Sequence, residues 1–174
     1  MKIKFYKRLK YKLFLLWKKN KYRKFLNKQD DYDYGSLIDL IIFKLTMMGI
    51  QFFNWSILDK EEKRKQIHSI WKTRYFFKKI EQSFDIAYSV AENKFLEKYG
   101  VPYIFDDFVC KDIGNGEVEM VGFSLKSPCC STFEEAQRIA TDFYNMMPDE
   151  YKLKEKFLNE ALTVMKNNIF YWWI

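Results

Sequence analysis

The side chains suited to chemistry are few and poorly assembled. His68 is the only histidine, so no histidine pair exists for a metal, and a nucleophilic Cys–His pair would need a cysteine from another element. It lies in a helical pattern among Lys65, Ser69 and Lys72, where a solvated or packing role is the plainer one. Cys110, Cys129, Cys130 and His68 can be drawn as a Cys3His zinc set. Adjacent cysteines lack the C-x2-C spacing that turns two thiolates onto one ion, which argues against it. Gly114-x-Gly116 lacks the third glycine of a dinucleotide loop and falls between two strand patterns, as a turn does. Asp30, Asp31 and Asp33, or the pair Asp106 and Asp107, could attract a divalent cation. Without the spacing and terminal glutamate of a calcium loop, helix capping is the simpler role for the first group. No phosphate-binding loop, serine elbow or kinase signature is present. The expectation is a protein that is not an enzyme and that needs no cofactor and no metal.

Charge carries the stronger signal. Between Met1 and Lys28 stand twelve Lys or Arg and no acid. The whole chain has 30 basic and 23 acidic residues, so everything from Gln29 onward is net −5. A cationic segment joined to an acidic body points to phosphate, an anionic membrane surface or an acidic protein patch, the chain's own body included. The basic segment is not a signal peptide by its pattern, because its uninterrupted apolar stretch, Leu13 to Trp17, is short and no small-residue cleavage site follows. Leu37 to Phe53 is the most apolar stretch, yet Asp39, Lys44 and Gln51 interrupt it at a cost in a bilayer, so no transmembrane span is expected. An odd cysteine count with an adjacent pair suits reduced thiols in a cytosol.

The elements that must position these charges follow from periodicity. A length of 174 residues suits one core, and 48% apolar with 30% charged residues excludes disordered and collagen-like classes. Residues 1–28 read as one basic helix with a stripe of Phe5, Leu9, Leu13 and Leu16 or Trp17. That stripe either docks the helix, leaving its lysines merely solvated, or belongs to a dedicated binding surface. A core helix starts near Ser36, apolar on two sides, with Met47 and Met48 as filler or as an adaptable groove. Ser56-x-x-Asp59 or Asp59-x-x-Glu62 caps a third helix about ten turns long, with a kink near Ser83 and an end at Gly100-Val101-Pro102. The period then changes to that of a β-hairpin at about 103–125, its turn at Asp112 to Gly116 and its second strand weakened by Gly122. Ser131-x-x-Glu134 caps the next helix, Pro148 ends it, and a last helix runs from about Asp149. The terminal Phe170-Tyr171-Trp172-Trp173 must cap the core or bind something. The expected fold is mainly α, a single helical domain of about five helices with one hairpin insert, organised as a basic helix, 1–28, and a body, 29–174.

Several of these pieces stand in a familiar order: the basic aromatic first helix, Asp31-Tyr32-Asp33-Tyr34, Phe43-Lys44-Leu45-x-x-Met48, Phe52-Phe53 and Ile169-x-x-Trp172-Trp173. The chain resembles a group of small uncharacterised proteins encoded by tailed bacteriophages. Where those proteins often end in an acid after the paired tryptophans, this chain has Ile174. The resemblance implies no catalytic residue, and it implies expression in the cytoplasm of an infected bacterium. Joined with the charge pattern, it gives the expectation of a phage accessory protein that binds and inhibits a host machine, a nucleic-acid-guided defence nuclease or its guide strand, in the manner of an anti-CRISPR. Lys4, Lys7, Arg8, Lys18, Lys21 and Arg23 are the expected contacts. The alternatives are a nonspecific phage nucleic-acid-binding protein and a virion or assembly component.

Overall fold

Every helix whose boundary chemistry can be followed begins at a side-chain acceptor or ends at a residue that cannot continue it. The computed structural model describes residues 2–27, 34–55, 58–115 and 117–173. The elements run α1 (Lys2–Leu26), α2 (Tyr34–Trp55), α3 (Lys60–Glu81), α4 (Ser83–Tyr99), β1 (Ile104–Gly114), β2 (Glu117–Ser127), α5 (Phe133–Met146) and α6 (Glu150–Asn168), followed by a 3-10 turn (Ile169–Trp173). The protein is mainly α with one antiparallel hairpin, as its periodicity implies. Asp59 caps α3 by accepting from the amides of Glu61 and Glu62, and Asp149 caps α6 through those of Tyr151 and Lys152. The acids expected to precede α2, Asp30, Asp31 and Asp33, and the alternative cap Ser56 lie outside the described residues. The long third helix is two helices, broken at Gln82, whose ψ of 11° leaves the helical range. Gly100 closes α4 in the left-handed region at φ 72°, its amide donating to the Leu96 carbonyl.

One expected cap is off by a residue. The helix after the hairpin is capped by Thr132, whose hydroxyl accepts from the Glu135 amide, while the Glu135 carboxylate accepts from the Ser131 amide and hydroxyl. The reciprocal box is therefore Thr132-x-x-Glu135 rather than Ser131-x-x-Glu134. Both spacings occur in the sequence, and the one that starts the helix at Phe133 puts Ala136, Ile139, Ala140 and Phe143 together on the buried side. At the other end Met147 is extended, as the residue before Pro148 must be.

The chain divides into two compact units, one of Met1–Glu81 with Leu158–Ile174 and one of Gln82–Phe157. In the first, α2 packs along α3. Ile38, Ile42, Leu45, Met47 and Phe52 are buried, and Gly49 admits the Trp71 ring so closely that a Cβ there would sit 3.0 Å from it. Met47 is thus core filler. Gly35–Asn54 is long and apolar enough, by length and composition, to cross a membrane, and about 33% of its apolar window is buried inside the protein. Trp172 caps this unit: it is buried, and its indole N–H donates to the Ser69 hydroxyl at 2.8 Å.

The second unit has an aromatic core. Phe95 of α4 and Phe143 of α5 are fully buried, and Tyr103 stacks on Phe143 at 4.1 Å between centroids. Gly122 does more than weaken its strand. It faces Phe133, and a Cβ there would lie 2.9 Å from the ring, so the missing side chain is what lets α5 start against β2. The hairpin turn places Gly114 and Asn115 at positive φ, the conformation those two residue types best tolerate.

Candidate functional site

The α1 surface is built on a different stripe from the one its leucines suggest. Phe14, Lys18, Tyr22 and Phe25, spaced as one helix face, are half-buried among the described side chains of α1. Phe25 stacks on Phe43 of α2 at 4.3 Å and Tyr22 meets the same ring edge-on at 4.8 Å. Lys18 donates to Gln51 Oε1 at 2.7 Å; burial, and then the neighbouring Lys44, lower its pKa. Two aromatic rings against one phenylalanine add ring–ring attraction to their contact area, which leucines could not supply. Leu13 and Leu16, expected in the docking stripe, are instead 58% and 64% exposed.

Cations surround these leucines. Lys12, Lys19, Lys21, Arg23 and Lys24 are exposed, and among the described residues none of them enters an ion pair. Of the expected contacts, Lys21 lies over the Trp17 ring at 5.9 Å, Arg23 points to solvent and Lys18 is turned to α2. Lys4, Lys7 and Arg8 lie on the first turns of α1, and their side chains fall outside the described ones. The face thus offers two leucines and a tryptophan ringed by uncommitted charge, a combination that can bury apolar surface and neutralise anions at once.

Among the described residues the catalytic candidates form no cluster. His68 is exposed, all three cysteines are free, and among the described residues no cluster of three or more metal-ligating side chains occurs. Burial, with Glu135 and Cys129 adding to it, pushes the Cys130 thiol up, away from the reactive thiolate.

A second surface, which sequence reasoning missed, lies between the hairpin and α5. It is a cleft of about 450 Å³ walled by Tyr103, Phe105, Phe108 and Phe123 on one side and by Thr141 and Tyr144 on the other. Phe105 and Phe108 are three residues apart and would face opposite ways in a regular strand. Phe105 pairs with Leu125 and Phe108 with Phe123, so one extra residue is taken up between them and both rings reach the cleft, 4.9 Å apart. The aspartates of this bulge hold it: Asp106 accepts from the Ser124 hydroxyl and Asp107 from the Phe108 amide. Burial, with the nearby Tyr144 and Tyr88, pushes the Tyr103 hydroxyl up to about 12, so it stays protonated as part of the wall. Two aromatics flanking an Asp-Asp pair inside a strand pattern is the one signal that could have disclosed the bulge.

No protein family model, no curated protein and no solved structure matches this chain.

Proposed function

We propose that this chain is a non-enzymatic phage accessory protein that captures a host macromolecular machine through the outward face of α1, a nucleic-acid-guided defence nuclease being the partner that best suits the charge. The observation that carries this reading is the pairing of exposed Leu13 and Leu16 with a rim of cations, Lys12, Lys19, Lys21, Arg23 and Lys24, that enter no ion pair among the described residues. Phosphate alone has no use for leucines; a partner that also presents protein surface has. Electrostatic steering brings the two together and apolar burial slows their separation.

The test is affinity capture from infected cells, with and without nuclease, using the parent chain, a Lys19→Glu/Lys21→Glu/Arg23→Glu/Lys24→Glu variant and a Leu13→Ala/Leu16→Ala variant. A host protein that survives nuclease and is lost with either variant is the expected result. Retention by the charge-reversed variant overturns the reading. Loss of every partner to nuclease favours a second one, nonspecific nucleic-acid binding, for which Trp17 beneath Lys21 supplies a stacking ring. That reading predicts a log-affinity slope against log salt of about −0.9 per neutralised phosphate, without any protein present.

A further inference from the structure

The cleft on the hairpin has no part in the α1 reading, and its chemistry is the reverse. The hairpin carries Asp106, Asp107, Asp112, Glu117 and Glu119 against Lys111 and Lys126. The whole unit Gln82–Phe157 holds 14 acids and 8 bases. An anionic ligand such as nucleic acid or an acidic membrane is therefore repelled from it. Among the described residues the sheet has two strands and β1 pairs with β2 alone, and all eleven residues of β1 are exposed. Its free edge is a template for one more strand. Beside that edge Phe105, Phe108 and Tyr144 stay 41%, 55% and 58% exposed around an apolar hollow. Open edge, aromatic hollow and negative surround together define what fits.

We propose that this cleft is the docking site of a basic, extended peptide segment of a partner protein, which adds along β1 and seats one aromatic or aliphatic side chain between Phe105, Phe108 and Tyr144. The bulge serves this binding twice. It turns both phenylalanine rings into the hollow, and it keeps two exposed carboxylates, Asp106 and Asp107, on β1 between those phenylalanines, along the strand that the cations of the segment would follow. Main-chain pairing supplies affinity without sequence preference, the hollow selects the anchor, and the acids select its neighbours.

The probe is the peptide acetyl-Lys-Ser-Lys-Phe-Lys-Ser-Lys-amide, titrated into the full chain while backbone amide shifts are followed by NMR. Two control peptides replace every Lys by Glu or the Phe by Ala. The expected result is a saturating set of shifts confined to β1 and the facing side of α5, with binding weakened about tenfold or more by either control. Phe108→Ala and Asp106→Asn/Asp107→Asn should each weaken it by a similar factor. Phe108 is outside the core, and circular dichroism checks that these variants keep their helices. Equal binding of the glutamate peptide, shifts outside this region or no saturation at millimolar peptide overturns the proposal. So does self-association that shifts the same amides without peptide, since it assigns the cleft to a second copy of the chain. None of these measurements depends on α1, so the capture experiment and this one fail separately.

Discussion

The unit formed by Met1–Glu81 and Leu158–Ile174 has 22 basic and 9 acidic residues, whereas Gln82–Phe157 has 8 and 14. Their nets, +13 and −6, coincide with different uses of charge. In the second unit, cations are tied up in the fold: Lys98 pairs with Asp142 at 2.6 Å, Lys154 with Glu150 at 2.6 Å, and Lys152 with Asp149 at 3.9 Å. In the first, Lys65 pairs with Glu61 on the exposed side of α3. That unit holds together through ring contacts, a glycine and an indole hydrogen bond. Charge that enters no ion pair stays available at the surface, and in this protein α1 carries a run of it, Lys12, Lys19, Lys21, Arg23 and Lys24, while the hairpin unit is the more ion-paired of the two.

The widest separation between the two units should come from Phe143→Ala. The side chain is fully buried among Tyr88, Phe95 and Tyr103, and its loss should cost about 3–5 kcal/mol of unfolding free energy. Denaturant titration gives the size, and amide exchange resolved by residue tells whether α2 and α3 keep their protection. If they lose it equally, the two units fold as one. Gly49→Ala probes the first unit in the same way. Its Cβ at 3.0 Å from the Trp71 ring forces the indole to move, for a loss of about 1–3 kcal/mol and a changed tryptophan emission. Smaller still are the caps, where Asp59→Ala and Thr132→Ala should each cost about 1 kcal/mol, read as a shift in the denaturation midpoint.

The response to pH should differ in sign. Asp142 is held below its ordinary value of 3.8, first by Lys98 and then by Tyr99; Glu150 is held below 4.5 by Lys154, and Glu135 by Ser131. Their stabilisation is complete above those values and is lost as pH falls through the lower ones of the folded protein. Glu81, in the other unit, is raised above 4.5 by burial and then by the facing Asp39. Ionising it opposes folding, so acidification from neutral toward 4.5 should slightly strengthen the first unit and leave the second unchanged. Amide exchange measured across this range checks it, and a parallel loss in both units would erase the distinction.

Much of this architecture was legible because it is local. Asp59, Gly100 and Pro148 act on the residues beside them, and the switch from helical to alternating period at Tyr103 needs no distant partner. The same holds for the break near Ser83. What escaped was long-range or degenerate. The docked face of α1 is chosen by Phe43 and Gln51, which no pattern within the first helix discloses. The α5 cap slipped by one residue because Ser131-Thr132 followed by Glu134-Glu135 satisfies two registers, and only core packing distinguishes them. The hairpin cleft was hidden since period-two reasoning sends Phe105 and Phe108 to opposite faces unless a bulge is known.

Trp172 and Ser69 are 103 residues apart in the chain, with Gln82–Phe157 strung between them. Ribosomes make proteins from the amino end, so the nascent chain possesses everything the hairpin unit requires before it possesses the indole that closes the other one. Translation therefore finishes the inserted unit first and leaves the Ser69 hydroxyl waiting for a residue made after that unit. A premature stop after Asn168 would release a polypeptide whose aromatic core is complete and whose cationic half has never been sealed.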